Sequence, residues 1–211
     1  NTSFARFLSV VFHPLLMPTL LFGILLFLAP AILNVEAFTP TLRLSLLTLI
    51  FIGTFGVPSL LIYYLYRSGY VKSLQMEELA DRRIPYFLTA LVYTGVTFLF
   101  AFRMEGISTL APEIGVLLGS ISLSILSVGL ISLYWQISAH SVGISGVIGA
   151  IAAIMVKFGE TDLMLVLALL IILAGLVASA RLQLNAHNPA QISAGFAVGL
   201  LISVASVIWL V

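Results

Sequence analysis

The chain has 211 residues, of which 61% are hydrophobic and 8% charged, with a formal net charge of +1 and no cysteine; its mean hydropathy is +1.21. So few polar side chains cannot cover the surface of a water-soluble domain, and the absence of a basic run excludes a nucleic-acid partner. Without cysteine there is no thiolate catalysis, thiol redox chemistry or cysteine-ligated zinc or iron–sulfur site.

Taken in chain order, apolar runs cover Phe7–Leu33, Leu42–Tyr66, Ile84–Phe102, Ile114–Tyr134, Val142–Phe158, Leu163–Ala180 and Ala190–Val211. Each approaches the roughly 20 residues that a helical span requires. Runs of this length are helices, because barrel strands alternate in shorter segments. The expected fold is therefore all-α, a polytopic membrane bundle of six to seven helices forming a single domain over residues 1–211. The first run has no small-residue cleavage pattern and reads as a retained helix, with Pro14 and Pro18 in its first turns or kinking it. His13 beside Pro14 reads as interfacial, with lining of the site as its alternative, and Tyr63, Tyr64, Tyr66, Tyr70 and Tyr86 read as an aromatic belt.

The connections Asn34–Thr41, Arg103–Glu113 and Lys157–Asp162 are short. Arg67–Arg83 is longer and mixes four basic with three acidic residues, which suggests a short interfacial amphipathic helix through Lys72–Ala80. Gly143, Gly146 and Gly149, with the pairs Gly115/Gly119 and Gly195/Gly199, indicate close helix packing, the alternative being a homo-oligomer seam.

Against this apolar background three polar clusters stand out: Asp81-Arg82-Arg83-Ile84-Pro85, Ile137-Ser138-Ala139-His140, and Arg181 to Gln191 with His187 inside it. Ionisable groups are costly to hold in lipid, so such clusters are functional-site candidates. Two spans separate the first cluster from the second, and two more separate the second from the third. The last two, 142–158 and 163–180, match as a hairpin at about 26 and 27 Å of helical rise. An even number of crossings returns the chain to the same face, so all three clusters share one side of the membrane. The expected location is the cell (inner) membrane. The basic residues do not assign the side, because arginines committed to a site are not free topology signals.

The order and spacing of these clusters resemble the type 2 phosphatidic acid phosphatase superfamily of lipid phosphatases, over roughly residues 75–200. That family's pattern is Lys-x6-Arg-Pro, then Pro-Ser-Gly-His, then Ser-Arg-x5-His-x3-Asp. Here the third motif reads Ala180-Arg181-x5-His187-x3-Gln191, the second Ile137-Ser138-Ala139-His140, and the first Arg83-Ile84-Pro85 with one residue inserted. The family lysine has no counterpart, since Gln75 and Met76 stand at its positions. The two-span excursion between the first and second motifs also departs from the usual arrangement.

The resemblance implies hydrolysis of a membrane lipid phosphate, phosphatidyl or isoprenyl. His187 would be the nucleophile and His140 the acid for the leaving alkoxide, with no cofactor and no metal. Arg83 and Arg181 would grip the phosphoryl oxygens, with Ser138 and the backbone N–H groups of the following helix assisting; Arg82 is a further candidate phosphate contact, though as a span-flanking anchor it has a ready alternative. Gln191 stands where the family has an aspartate. It can orient the imidazole but cannot stabilise the charge that grows on it, and the comparable exchange in serine proteases costs on the order of ten-thousand-fold. Asp81, Glu77 or Glu78 could replace that charge by folding back.

Each residue also has a plainer reading. His187 with Arg181 can be a polar knot between helices, His140 an interfacial cap, and Ser138 with Ser141 ordinary N-caps. A catalytically degenerate relative that binds, scaffolds or translocates a phosphorylated lipid is the alternative function. A prenyl transferase ranks last, for want of an aspartate-rich motif.

Overall fold

In lipid every backbone N–H and C=O must find its partner within the chain, and apolar segments of this length satisfy that rule as helices. The computed structural model of the protein describes residues 2–74, 76 and 78–211. Among the described residues, seven helical segments are long and apolar enough to cross a membrane: Thr2–Leu28, Pro40–Arg67, Leu79–Arg103, Pro112–Ile131, Ala139–Phe158, Met164–Gln183 and Pro189–Leu210. The protein is an all-α polytopic bundle.

The first span is two helices, α1 (Thr2–Val11) and α2 (Met17–Leu28), separated by a single tight turn at Pro14–Leu16. Pro14 has no N–H to continue the ladder and forces His13 into extended backbone, so the helix breaks there. The second span joins α3 (Pro40–Phe51) to α4 (Val57–Arg67) through a wide π-turn at Ile52–Gly56. Pro58 cannot donate to the Thr54 carbonyl one turn back, and the Tyr93 hydroxyl donates to it instead at 2.8 Å.

The remaining helices are α5 (Leu79–Phe98), the short α6 (Glu105–Leu110), α7 (Pro112–Ile131), α8 (Ala139–Phe158), α9 (Met164–Gln183) and α10 (Pro189–Leu210). Proline opens α3, α7 and α10, where its missing N–H costs nothing. Among the described residues, the amphipathic helix expected through Lys72–Ala80 does not form before α5 begins at Leu79. Gly69 and Met76 have positive φ, which interrupts helical backbone, and the Lys72 N–H is taken by Asp81 Oδ2 at 3.3 Å.

The most extensive packing joins α8 to α10. Gly195 sits against Ser138 and Ser141, Gly199 against Ser145 and Val142, and Gly149 against Leu200 and Ser203. Gly115 lies against Ala101 in the same way. These glycines serve packing within the chain. Gly146 differs: a side chain there would meet open space.

At the end of the bundle away from the clusters, two basic residues are bound to backbone. Arg43 donates to the carbonyls of Leu26, Val35 and Glu36, and Lys157 to those of Val207 and Ile208 at the C-terminus of α10. Both satisfy carbonyls that helix ends leave free.

Candidate functional site

A cavity of about 300 Å³ lies where the clusters meet, and its wall draws on six of the spans and on the turn before α10. On α5 the lining residues are Arg82, Pro85, Tyr86 and Thr89, spaced i, i+3, i+4 and i+7 along one helical face. The start of α8 contributes Ala139 and His140, the last turn of α9 contributes Arg181, and the turn before α10 contributes His187. The broken first span adds Ser9 and His13.

His187 has an unambiguous hydrogen-bond role. Asn188 caps α10 and forms a reciprocal pair with Gln191: Gln191 N–H donates to Asn188 Oδ1 at 3.0 Å, and Asn188 N–H to Gln191 Oε1 at 3.2 Å. A backbone N–H must face an oxygen, which settles which end of the amide is which. The same Oε1 lies 3.0 Å from His187 Nδ1, so Nδ1 carries the proton and donates it. Nε2 is left as a lone pair. Burial lowers the pKa of His187 from 6.5 to about 4; the Gln191 hydrogen bond opposes this, and the positive Arg82 and Arg181 assist it. At neutral pH this imidazole is a free base.

His140 Nε2–H donates to the Ser9 carbonyl at 3.0 Å, which leaves Nδ1 as its exchangeable position. The hydroxyl of the same serine accepts from Arg181 Nη1 at 3.2 Å, so Ser9 ties two cluster residues to the first span. His13 Nδ1 accepts from Leu15 N–H at 3.3 Å, and its ring stands edge-on to His140 with centroids 5.8 Å apart.

Arg82 is buried at 5% exposure and anchored by Nε donating to the Met76 carbonyl at 2.7 Å. Arg181 Nε is buried without a hydrogen-bond partner. Among the described residues, the cavity wall contains no Asp or Glu and neither arginine makes an ion pair. Buried guanidinium groups without a counter-charge are costly, and the first turn of α8 adds the positive end of a helix. This arrangement of positive groups can accept an anion.

Two expected phosphate contacts lie elsewhere. Arg83 is exposed and donates from Nη2 to the Leu133 carbonyl at 3.0 Å, just beyond the end of α7. One residue along a helix turns the side chain about 100°, so Arg82 and Arg83 cannot share the cavity, and Arg82 takes it. Ser138 is fully buried as the N-cap of α8, with its hydroxyl accepting from Ser141 N–H at 3.3 Å and Ser141 Oγ at 2.9 Å. It does not line the cavity.

Of the carboxylates that could have made up for Gln191, Asp81 is bound to Lys72 N–H and Glu78 pairs with Lys72 at 2.7 Å. Glu77 and Gln75 lie outside the described residues. Sequence reasoning missed Ser9, and it read His13 as interfacial and Tyr86 as belt; the helical stripe from Arg82 to Thr89 is the signal that could have found Tyr86. Among the described residues no three His, Asp or Glu side chains converge to hold a metal ion. Comparison of the chain with family models, curated proteins and solved structures finds no match.

Proposed function

We propose that the protein is an integral enzyme of the cell (inner) membrane that hydrolyses a phosphate ester of a lipid, as the lipid phosphatase resemblance suggests. The observation that carries the reading is the pairing of an unprotonated His187, free at Nε2, with the buried guanidinium of Arg82 and the half-buried one of Arg181, neither with a counter-charge among the described residues. Arg82 and Arg181 bind the phosphoryl oxygens. His187 Nε2 attacks phosphorus as the bond to the lipid oxygen breaks, and His140, which takes up a proton on Nδ1 once the phosphate's negative charge is bound beside it, gives that proton to the departing alkoxide. Water, deprotonated by the now neutral His140, then attacks the phosphohistidine and releases inorganic phosphate, which restores both rings.

A second reading is favoured by Gln191. A neutral acceptor on His187 Nδ1 orients the ring without stabilising its developing charge, which fits a protein that binds or translocates a phosphorylated lipid without turning it over. The deciding experiment is inorganic phosphate release from lipid phosphates in mixed micelles by wild type, His187→Ala and Gln191→Asp. The expected outcome is release by wild type, none by His187→Ala, and faster release by Gln191→Asp. Silence in wild type with activity in Gln191→Asp would assign the binding role, and equal release by His187→Ala would remove His187 from the mechanism.

A further inference from the structure

The two arginines do not exhaust the donors around the anion cavity, and further ones come from outside the three sequence clusters. His187 Nε2 and His140 Nδ1 are lone pairs while their rings are neutral, so neither donates to an arriving anion. Ser138 is spent as the cap of α8. The two polar residues that the broken first span brings to the wall, Ser9 and His13, differ from these.

Ser9 leaves its hydroxyl proton unused. Serines within the long helices return theirs to the carbonyl four residues back, Ser45 to Thr41 O at 2.9 Å, Ser124 to Ser120 O at 3.0 Å and Ser203 to Gly199 O at 2.8 Å. Ser9 Oγ instead accepts from Arg181 Nη1 at 3.2 Å, and its own proton has no acceptor among the described residues. A hydroxyl that accepts from a guanidinium is polarised and becomes a stronger donor. His13 is fixed by its neighbour in the chain. Its Nδ1 accepts from the Leu15 N–H at 3.3 Å, so the ring proton sits on Nε2, which likewise has no acceptor among the described residues.

We infer that the first span supplies the neutral half of the anion site: Ser9 Oγ–H and His13 Nε2–H donate to the phosphoryl oxygens that Arg82 and Arg181 hold by charge. Charge attracts an anion over distance, whereas directed donors fix how it is turned toward His187. Neither residue belongs to the lipid phosphatase motifs, and Ser9 takes the contact that the sequence pattern suggested for Ser138. This inference rests on the anion-binding part of the proposed function and is independent of hydrolysis.

The test is calorimetric titration of the full-length protein in detergent with inorganic phosphate, beside its melting temperature without phosphate. Ser9→Ala should weaken binding about tenfold or more, the worth of a hydrogen bond to a charged group, and Ser9→Thr should restore it. His13→Asn keeps an acceptor for the Leu15 N–H but does not reach the Nε2 position; it should bind about tenfold more weakly at a nearly unchanged melting temperature. His13→Gln places an N–H at the far position and gives up the cap; it should melt lower yet bind phosphate almost as wild type does. Wild-type affinity in Ser9→Ala or His13→Asn would overturn the inference, as would affinities that simply follow the melting temperatures across the four variants. Loss in Ser138→Ala with none in Ser9→Ala would return the contact to the motif serine. A wild type that binds no phosphate would remove the anion site and this inference together, whereas the expected losses in a protein that releases no phosphate from lipids would uphold the inference and reject hydrolysis.

Discussion

Arg82 and Arg83 show how much one position decides. Arg82 faces the cavity with Pro85 and Tyr86, whereas Arg83 reaches a backbone carbonyl beyond α7. Inorganic phosphate should therefore raise the melting temperature of wild type and of Arg83→Ala, and fail to do so for Arg82→Gln and Arg181→Gln. At a hundredfold excess over Kd the stabilisation would be about 2.7 kcal/mol, and its loss in Arg83→Ala alone would return the anion site to Arg83. His187 supplies a second prediction at this scale. Burial first, then the two arginines, hold its pKa near 4 against the Gln191 hydrogen bond. His187, the nucleophile of the proposed reaction, is thus already unprotonated at pH 6. The acid limb of kcat/KM is expected near pH 4; a limb near 6.5 would mean an exposed, unperturbed ring.

At the scale of elements, the site depends on helix ends held in register. His140 follows the Ser138 cap of α8, His187 precedes the Asn188–Gln191 capping box of α10, and these two helices make the most extensive pairing in the bundle. Gly199 enables that approach, since a Cβ there would collide with Ser145, the Val142 carbonyl and Gly146 N. Gly199→Ala should cost roughly 1–3 kcal/mol through overpacking. Gly146→Ala, which meets open space, should leave thermal stability in detergent nearly unchanged. Equal melting temperatures for the two variants would contradict the assigned helix contact. The break at His13-Pro14 matters in the same way, because it brings Ser9 and His13 to the cavity wall instead of passing them by in a continuous helix.

For the whole molecule, the neutral state of His187 becomes a dependence of stability on pH. The folded pKa, about 4, lies below the ordinary imidazole value of 6.5 that approximates the unfolded chain. Between these values the unfolded chain binds a proton that the folded protein does not, so stability falls as the pH is lowered from 6.5 to 4. Below 4 both forms are protonated and this contribution stops changing. Thermal unfolding across that window should show a steeper decline for wild type than for His187→Gln. Parallel curves would indicate that the ring is not held neutral by the fold.

The apolar runs alone determine the helices, their approximate bounds and the all-α membrane class, because lipid leaves a backbone of this length no other way to pair its polar groups. Counting crossings brings His140, Arg181 and His187 to one end, and the spacing from His187 to Gln191 anticipates their hydrogen bond. What the sequence leaves open depends on rotation about helix axes and on partners distant in the chain. Only the folded bundle chooses Arg82 over Arg83, buries Ser138 as a cap, and turns His13 and Ser9 inward. It also separates Gly146 from its neighbouring glycines by opening a slot beside it. A linear pattern records which residues are apolar or charged, whereas the face each presents is set by where its neighbours pack.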